Sequence, residues 1–283
     1  LREKLLRFGR LIKVEHTLFA LPFSLGSMFL AARGAPQWSV AGWVLVAIIS
    51  GRSLGMAANR VIDRHVDALN PRTQNRELPR GLLSLAEVLA FIALAAAVLL
   101  WAVLQLPPLC LSLLPGALIL LIGYSYTKFF TSLSHFALGA TLAVPVVGSR
   151  IAVTGQWESA VLWLALAVVV WVAGFDILYA CQDIDFDREN GLHSIPARLG
   201  VATSLRLALT LHALVVPALV GFGLTQGYGR IYQAGMLVIA GILVWEHSIC
   251  NGEDLSRIEK AFFVANAMVS LVFLATSIAT VML

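Results

Sequence analysis

Nine stretches of this chain are apolar and long enough to cross a hydrocarbon core of about 30 Å: 17–33, 39–58, 84–104, 108–126, 133–153, 159–180, 204–225, 232–249 and 261–282. Runs of this length read as membrane helices, which restricts the fold to an all-α integral membrane protein with nine transmembrane helices. Composition agrees. With 59% hydrophobic and 13% charged residues and a mean hydropathy of +0.85, a soluble domain is excluded. The 283 residues are too much apolar chain for a single anchor and suit one transmembrane domain over 1–283. Pro107, Pro108, Pro115 and Pro145 blur the ends of the fourth and fifth stretches.

The basic residues sit between the apolar runs, so a net charge of +4 points to loops facing anionic lipid and not to nucleic acid. If the N-terminus is inside, the inside segments hold sixteen Lys and Arg, including Arg257 and Lys260, and the outside connections hold Arg33, Arg150 and Arg230. That bias orients the chain. Residues 1–16 read as a basic, amphipathic cytoplasmic segment with no cleavable signal peptide, and 59–83 and 181–203 as long cytoplasmic connections. Cys110, Cys181 and Cys250 are isolated, so no disulfide frame or cysteine zinc site is expected.

Two acidic sets stand at the ends of apolar runs: Asn59-x-x-x-Asp63-x-x-x-Asp67 and Asp183-x-x-x-Asp187. A spacing of four places each set on one helix face. Asp63 and Asp183, like Asp67 and Asp187, are 120 residues apart, a weak repeat. Crowded carboxylates repel unless a positive charge lies among them, and hard divalent cations take oxygen ligands. Mg²⁺ held by a few carboxylates keeps positions that phosphate oxygens fill. The pattern points to a grip on a diphosphate.

Each set continues inward. Arg52 is in phase with Asn59, and Asp176 and Tyr179 are in phase with Asp183 and Asp187, while Asp185 points elsewhere and is expected to be solvated. Arg52 and Asp176 lie about two turns deeper, where a lone charge costs several kcal/mol. They are expected either to pair or to line a polar cavity. Lys128 follows Tyr124 by one turn and is read as a neutraliser of a leaving diphosphate or as an interfacial anchor. Arg72, Arg76 and Arg80 recur at intervals of four, which suits phosphate contacts or simply cytoplasmic topology. His65, His135 and His193 lack a metal-motif partner and read as packing or loop residues. His212 reads as core or lipid-facing.

Taken together, Asn59-Arg-Val-Ile-Asp63-Arg-His-Val-Asp67, Asn75-Arg-Glu-Leu-Pro-Arg-Gly81, Tyr124-x-x-x-Lys128 and Asp176-x-x-Tyr179-x-x-x-Asp183-x-x-x-Asp187 resemble the UbiA superfamily of intramembrane prenyltransferases over essentially the whole chain. The resemblance implies a helical bundle with a cytoplasmic-side active site, in the bacterial inner membrane, acting on membrane lipid substrates. It implies two Mg²⁺ ions holding a polyprenyl diphosphate between the acid sets, with an aromatic acceptor acid beside it. By motif, Asn59, Asp63, Asp67, Asp183 and Asp187 become metal and diphosphate ligands, Lys128 and Arg72 diphosphate contacts, and Arg52 a contact near the acceptor. The chain departs from the family pattern at Arg60, Glu77 and Phe129. Its Tyr179–Gly200 segment resembles the 4-hydroxybenzoate branch, which includes members tied to menaquinone made by the futalosine route, where the acceptor is a dihydroxynaphthoate.

The implied reaction is electrophilic aromatic substitution. Tyr124 and Tyr179 are placed to stabilise an allylic cation, and Asp176 or a water to accept the ring proton. A cation-coupled transporter would also carry deep charges such as Arg52 and Asp176, but here the acids crowd one membrane face. A haem- or chlorophyll-type prenyltransferase is a further alternative.

Overall fold

The computed structural model describes residues 2–13, 17–250 and 258–283, and the side chains among them except 17–20 and 258–262. Arg257 and residues 14–16 of the predicted N-terminal segment lie outside the described residues, as does the Lys260 side chain. Every regular element among the described residues is helical: α1 (Arg2–Leu11), α2 (Thr17–Ala32), α3 (Trp38–Leu69), α4 (Leu85–Val103), α5 (Pro108–Thr127), α6 (Ser134–Thr154), α7 (Val161–Ala180), α8 (Ile184–Glu189), α9 (Ile195–Leu199), α10 (Val201–Gln226), α11 (Arg230–Ile249) and α12 (Ile258–Met282). A 3₁₀ turn, Cys181–Asp183, joins α7 to α8.

Seven segments among the described residues are long and apolar enough to cross a membrane: Trp38–Leu69, Leu85–Val103, Pro108–Thr127, Ser134–Thr154, Val161–Glu189, Val201–Gln226 and Phe263–Met282. The two remaining predicted spans are also helical, but α2 is a shorter apolar helix and α11 carries Glu246 and His247 in its last turn. Pro115 and Pro145 lie inside α5 and α6 rather than at their ends. A further difference concerns α3, which runs 32 residues to Leu69. The connection predicted over 59–83 therefore begins at Asn70, because the apolar phase of the span continues into the polar segment through buried Asp63 and Asp67.

The chain divides into two compact units. In the first, α1 and α3–α5, helix α3 packs along α4. Leu54, Ala95, Leu99 and Val103 form one buried cluster, with Leu118 and Leu121 against it. A second cluster of Leu11, Ala57, Leu83 and Val88 docks α1. The start of α4 is fixed by a reciprocal cap between Ser84 and Glu87.

In the second unit, α2 and α6–α12, α7 is the central helix and packs against α6, α10 and α12. Phe23 of α2 stacks on Trp171 and Phe273 with centroids 5.3 and 3.9 Å apart. The Ser27 hydroxyl donates to the Val146 carbonyl at 2.9 Å, tying α2 to α6. Helices α6 and α7 approach closely at Gly139, where an added methyl would lie 2.6 Å from the Val169 carbonyl oxygen. Only glycine fits that crossing.

Candidate active site

On α3 the spacing of four delivers what the periodicity demands. Asp63 and Asp67 are 4% and 5% exposed, which puts two carboxylates inside the unit. Buried charges of this kind need compensation. The Asn59 amide donates to Asp63 Oδ2 at 2.9 Å and to the Ser125 hydroxyl at 3.2 Å. Arg76 reaches back from the following connection and donates to both Asp67 oxygens at 2.7 Å. Arg60 is buried, donates to the Leu11 carbonyl and to Asn59 Oδ1, and lies within electrostatic reach of Asp63, Asp67, Arg76 and Tyr124. Arg52, half-buried and seven residues before Asn59, donates to the Lys13 carbonyl at 3.2 Å. Arg72 is exposed, and its backbone N–H donates to the Asn70 side chain in a tight turn.

The second acid set is built differently. Helix α7 ends at Ala180 and the 3₁₀ turn carries Asp183, so the 100° phase assumed from sequence is broken before α8 begins. Asp187 is nevertheless buried, Asp183 half-buried and Asp185 exposed. The Ser194 hydroxyl donates to Asp187 Oδ2 at 2.6 Å and also caps α9 by accepting from the Ala197 N–H at 3.2 Å. Asp183, Lys128 and His135 all lie within electrostatic reach of Asp187. The Lys128 carbonyl accepts from the His193 N–H at 2.8 Å. The Lys128 ammonium lies 5.6 Å from the Phe129 ring centre. A cavity of about 200 Å³ is bordered by Asp187, Arg188, His193 and Ser194. A larger one, near 840 Å³ and lined by Trp157, Trp163 and Gln226, contains none of the predicted site residues.

Deeper in this unit, Asp176 is paired with His135 at 2.7 Å. The other ring nitrogen of His135 accepts from the Ile195 N–H at 3.3 Å, so the proton sits on the nitrogen facing Asp176. This corrects the reading of His135 as a packing residue. Tyr179 is half-buried one turn on.

Sequence spacing picks out acids that are buried or half-buried, but it misses most of the side chains that touch them. Arg76 was legible only as one of three loop arginines, although a buried Asp67 calls for a cation. Ser194 is signalled by Ser-Ile-Pro, a hydroxyl one residue before a helix start. Nothing in the sequence marks His135. The donors present, Asp63, Asp67, Asp183, Asp187 and the Asn59 amide, are all oxygen-bearing, which fits a hard divalent cation better than a soft one.

Comparison with known proteins is consistent throughout. Residues 20–270 match the UbiA prenyltransferase family. A 4-hydroxybenzoate octaprenyltransferase from Aliivibrio fischeri (strain MJ11) is 31% identical over 269 residues, covering 95% of this chain and 91% of that protein. One from Saccharophagus degradans is 30% identical over 274 residues, covering 96% and 89%. Among solved structures, the apo form of a UbiA homologue from Aeropyrum pernix K1 superposes with a TM-score of 0.85 at 32% identity, over 95% of this chain and 98% of that one. A homologue from Archaeoglobus fulgidus bound to GPP and Mg²⁺ shares the fold, with a TM-score of 0.76 at 20% identity over 98% and 100%. With its apolar helices and its match over residues 20–270, the chain belongs to the UbiA prenyltransferase family of integral membrane enzymes.

Proposed function

We propose that this enzyme transfers a polyprenyl group from a polyprenyl diphosphate to the ring of a hydroxylated aromatic acid, releasing diphosphate. The acceptor is 4-hydroxybenzoate or a dihydroxynaphthoate, which assigns the step to ubiquinone or menaquinone synthesis. The relatives named 4-hydroxybenzoate octaprenyltransferase support the acceptor class. The observation that carries the reading is the burial of Asp63, Asp67 and Asp187, at two places of matched spacing, in a chain otherwise built for lipid.

Asn59, Asp63 and Asp67 on one helix, with Asp183 and Asp187 on another segment, would hold Mg²⁺, two ions by the family resemblance. When bound, that charge withdraws electrons from the diphosphate and eases cleavage of the allylic C–O bond. Lys128 and Arg72 take up the negative charge that accumulates on the departing diphosphate. Tyr124 and Tyr179 would supply electron-rich rings to stabilise an allylic cation. Arg52 orients the carboxylate or phenolate of the acceptor, whose ring carbon bonds to C1 of the isoprenoid. Asp176, held in place by His135, accepts the ring proton and aromaticity returns. We assign nine spans in one transmembrane domain, with the N-terminus, both acid sets and the connections after them on the cytoplasmic side of a bacterial inner membrane. The polyprenyl tail lies in membrane lipid. No nucleic acid is involved.

The test is to incubate membranes carrying the protein with labelled polyprenyl diphosphate, Mg²⁺ and a panel of phenolic acids. Label should move to a hydroxybenzoate or dihydroxynaphthoate. Transfer to a haem or chlorophyll precursor alone, or ion-driven flux in proteoliposomes with no transfer, would overturn the assignment.

A further inference from the structure

Outside the acid sets, three side chains converge in the second unit without any part in prenyl transfer. His212 lies on α10, and Glu246 and His247 are consecutive near the end of α11, which packs on α10. One ligand atom from each lies within 4.8 Å of the others. We propose that these residues form a divalent transition-metal site, suited to Zn²⁺, that clamps α11 to α10.

The tautomer of His212 carries the argument. Its Nε2 lies 3.1 Å from the Trp171 carbonyl oxygen. A carbonyl only accepts, so Nε2 bears the hydrogen, and in the neutral ring Nδ1 presents a lone pair. That lone pair faces His247 Nε2 at 3.0 Å and Glu246 Oε2 at 3.2 Å. A proton on His247 can satisfy His212, but it leaves the carboxylate. Glu246 is 0% exposed, and neither of its oxygens has a hydrogen-bond partner among the described residues. An uncompensated buried carboxylate costs several kcal/mol, and an ionisable group inside a membrane helix is normally there for a purpose.

A metal ion resolves all three atoms at once. Two ligands bound tetrahedrally to Zn²⁺ at 2.0–2.1 Å stand about 3.3 Å apart, close to the 3.0 and 3.2 Å between His212 Nδ1 and its two partners. Two imidazoles and a carboxylate are a donor set that Zn²⁺ favours and Mg²⁺ does not. The hydrogen bond from His212 to Trp171 is the outer contact that fixes a ligating imidazole. Space for the ring is built in, since a methyl at Gly174 of α7 would overlap the His212 imidazole. His247 is half-buried and gives the ion a way in.

The full chain, purified in detergent, stripped with chelator and returned to excess Mg²⁺ to occupy oxygen sites, is titrated with Zn²⁺ and with Co²⁺. One Zn²⁺ per chain should bind, Co²⁺ should give the intense visible bands of a four-coordinate ion, and Zn²⁺ should raise the melting temperature. Glu246→Gln and His247→Ala should weaken binding by at least ~100-fold, the upper end for losing even an outer contact, and abolish the cobalt bands. Asp187→Ala should keep both. A wild-type protein with no four-coordinate cobalt spectrum overturns the site, whether or not a variant folds. So does a folded Glu246→Gln that binds Zn²⁺ as the parent does. In either case the trio is a proton-bridged cluster only.

Discussion

The two acid sets have the same spacing in sequence and different construction in space. On α3 the helix is continuous from Trp38 to Leu69, so Asp63 and Asp67 are carried on a rigid rod and both are buried. After α7 the backbone tightens into a 3₁₀ turn and restarts as the six-residue α8. Asp187 is buried there, with Ser194, the residue that caps the next short helix, donating to it. The compensating groups differ accordingly. Asp67 has a guanidinium and Asp187 a neutral hydroxyl. Asp67 is neutralised through direct contact with a guanidinium, whereas Asp187 accepts from a neutral hydroxyl while Lys128 and His135 lie within electrostatic reach. Identical spacing therefore yields one set on a continuous helix, bridged by a guanidinium, and another across a helix break, held by a hydroxyl.

The largest effects should erase this difference. If both sets serve one diphosphate, Asp63→Ala, Asp67→Ala, Asp183→Ala and Asp187→Ala should each lower turnover by at least ~100-fold, the scale of removing one electrostatic stabiliser. Chelation with EDTA should abolish activity and Mg²⁺ restore it. Steady-state assays with labelled polyprenyl diphosphate measure both. An enzyme that tolerates loss of one set but not the other would mean that only one of them handles the diphosphate.

How much of this was legible follows from where each interaction lives. Seven of the nine predicted spans and the acid phase on α3 are local properties, set by hydropathy and by 100° per residue, and they read directly from sequence. The break at Cys181 does not, because it depends on how α9 packs against the end of α7 and the 3₁₀ turn. His135 and Asp176 are 41 residues apart and meet because Gly139 lets α6 lie against α7. Glu246 was hidden for the opposite reason. A lone acid in an apolar run gives no pattern, and only its burial beside His212 reveals it.

The partners sharpen the comparison at intermediate scale. Arg76→Ala removes a charged donor from a buried carboxylate, worth about 1.5–3 kcal/mol, so activity should fall roughly 10–100-fold. Ser194→Ala removes a neutral one, worth about 0.5–1.5 kcal/mol, so the fall should be about 2–10-fold. Equal losses in parallel kinetic assays would show that the two acid sets are held alike. Arg52 tests the deeper part of the α3 face. Arg52→Ala should raise the acceptor KM by about 10-fold, the weight of one hydrogen bond to a charged group, and leave the KM for polyprenyl diphosphate nearly unchanged. A rise confined to the diphosphate KM would move Arg52 to the other substrate.

Asp185 supplies the smallest effect and the most exacting check on the α8 geometry. It lies two residues from Asp183 and two from Asp187, and its helical phase already sets it apart from both in the sequence. The fold separates them. Asp187 faces inward against Ser194, while Asp185 stands on the exposed side of α8. An exposed carboxylate on a short surface helix contributes within about ±0.5 kcal/mol, so Asp185→Ala should change both turnover and melting temperature by no more than about 2-fold and a degree or two. The same assay on Asp183→Ala is the internal standard. If Asp185→Ala is inactive and Asp183→Ala active, the register of α8 is rotated in the working enzyme, and the second acid set is adjustable enough to swap its ligand.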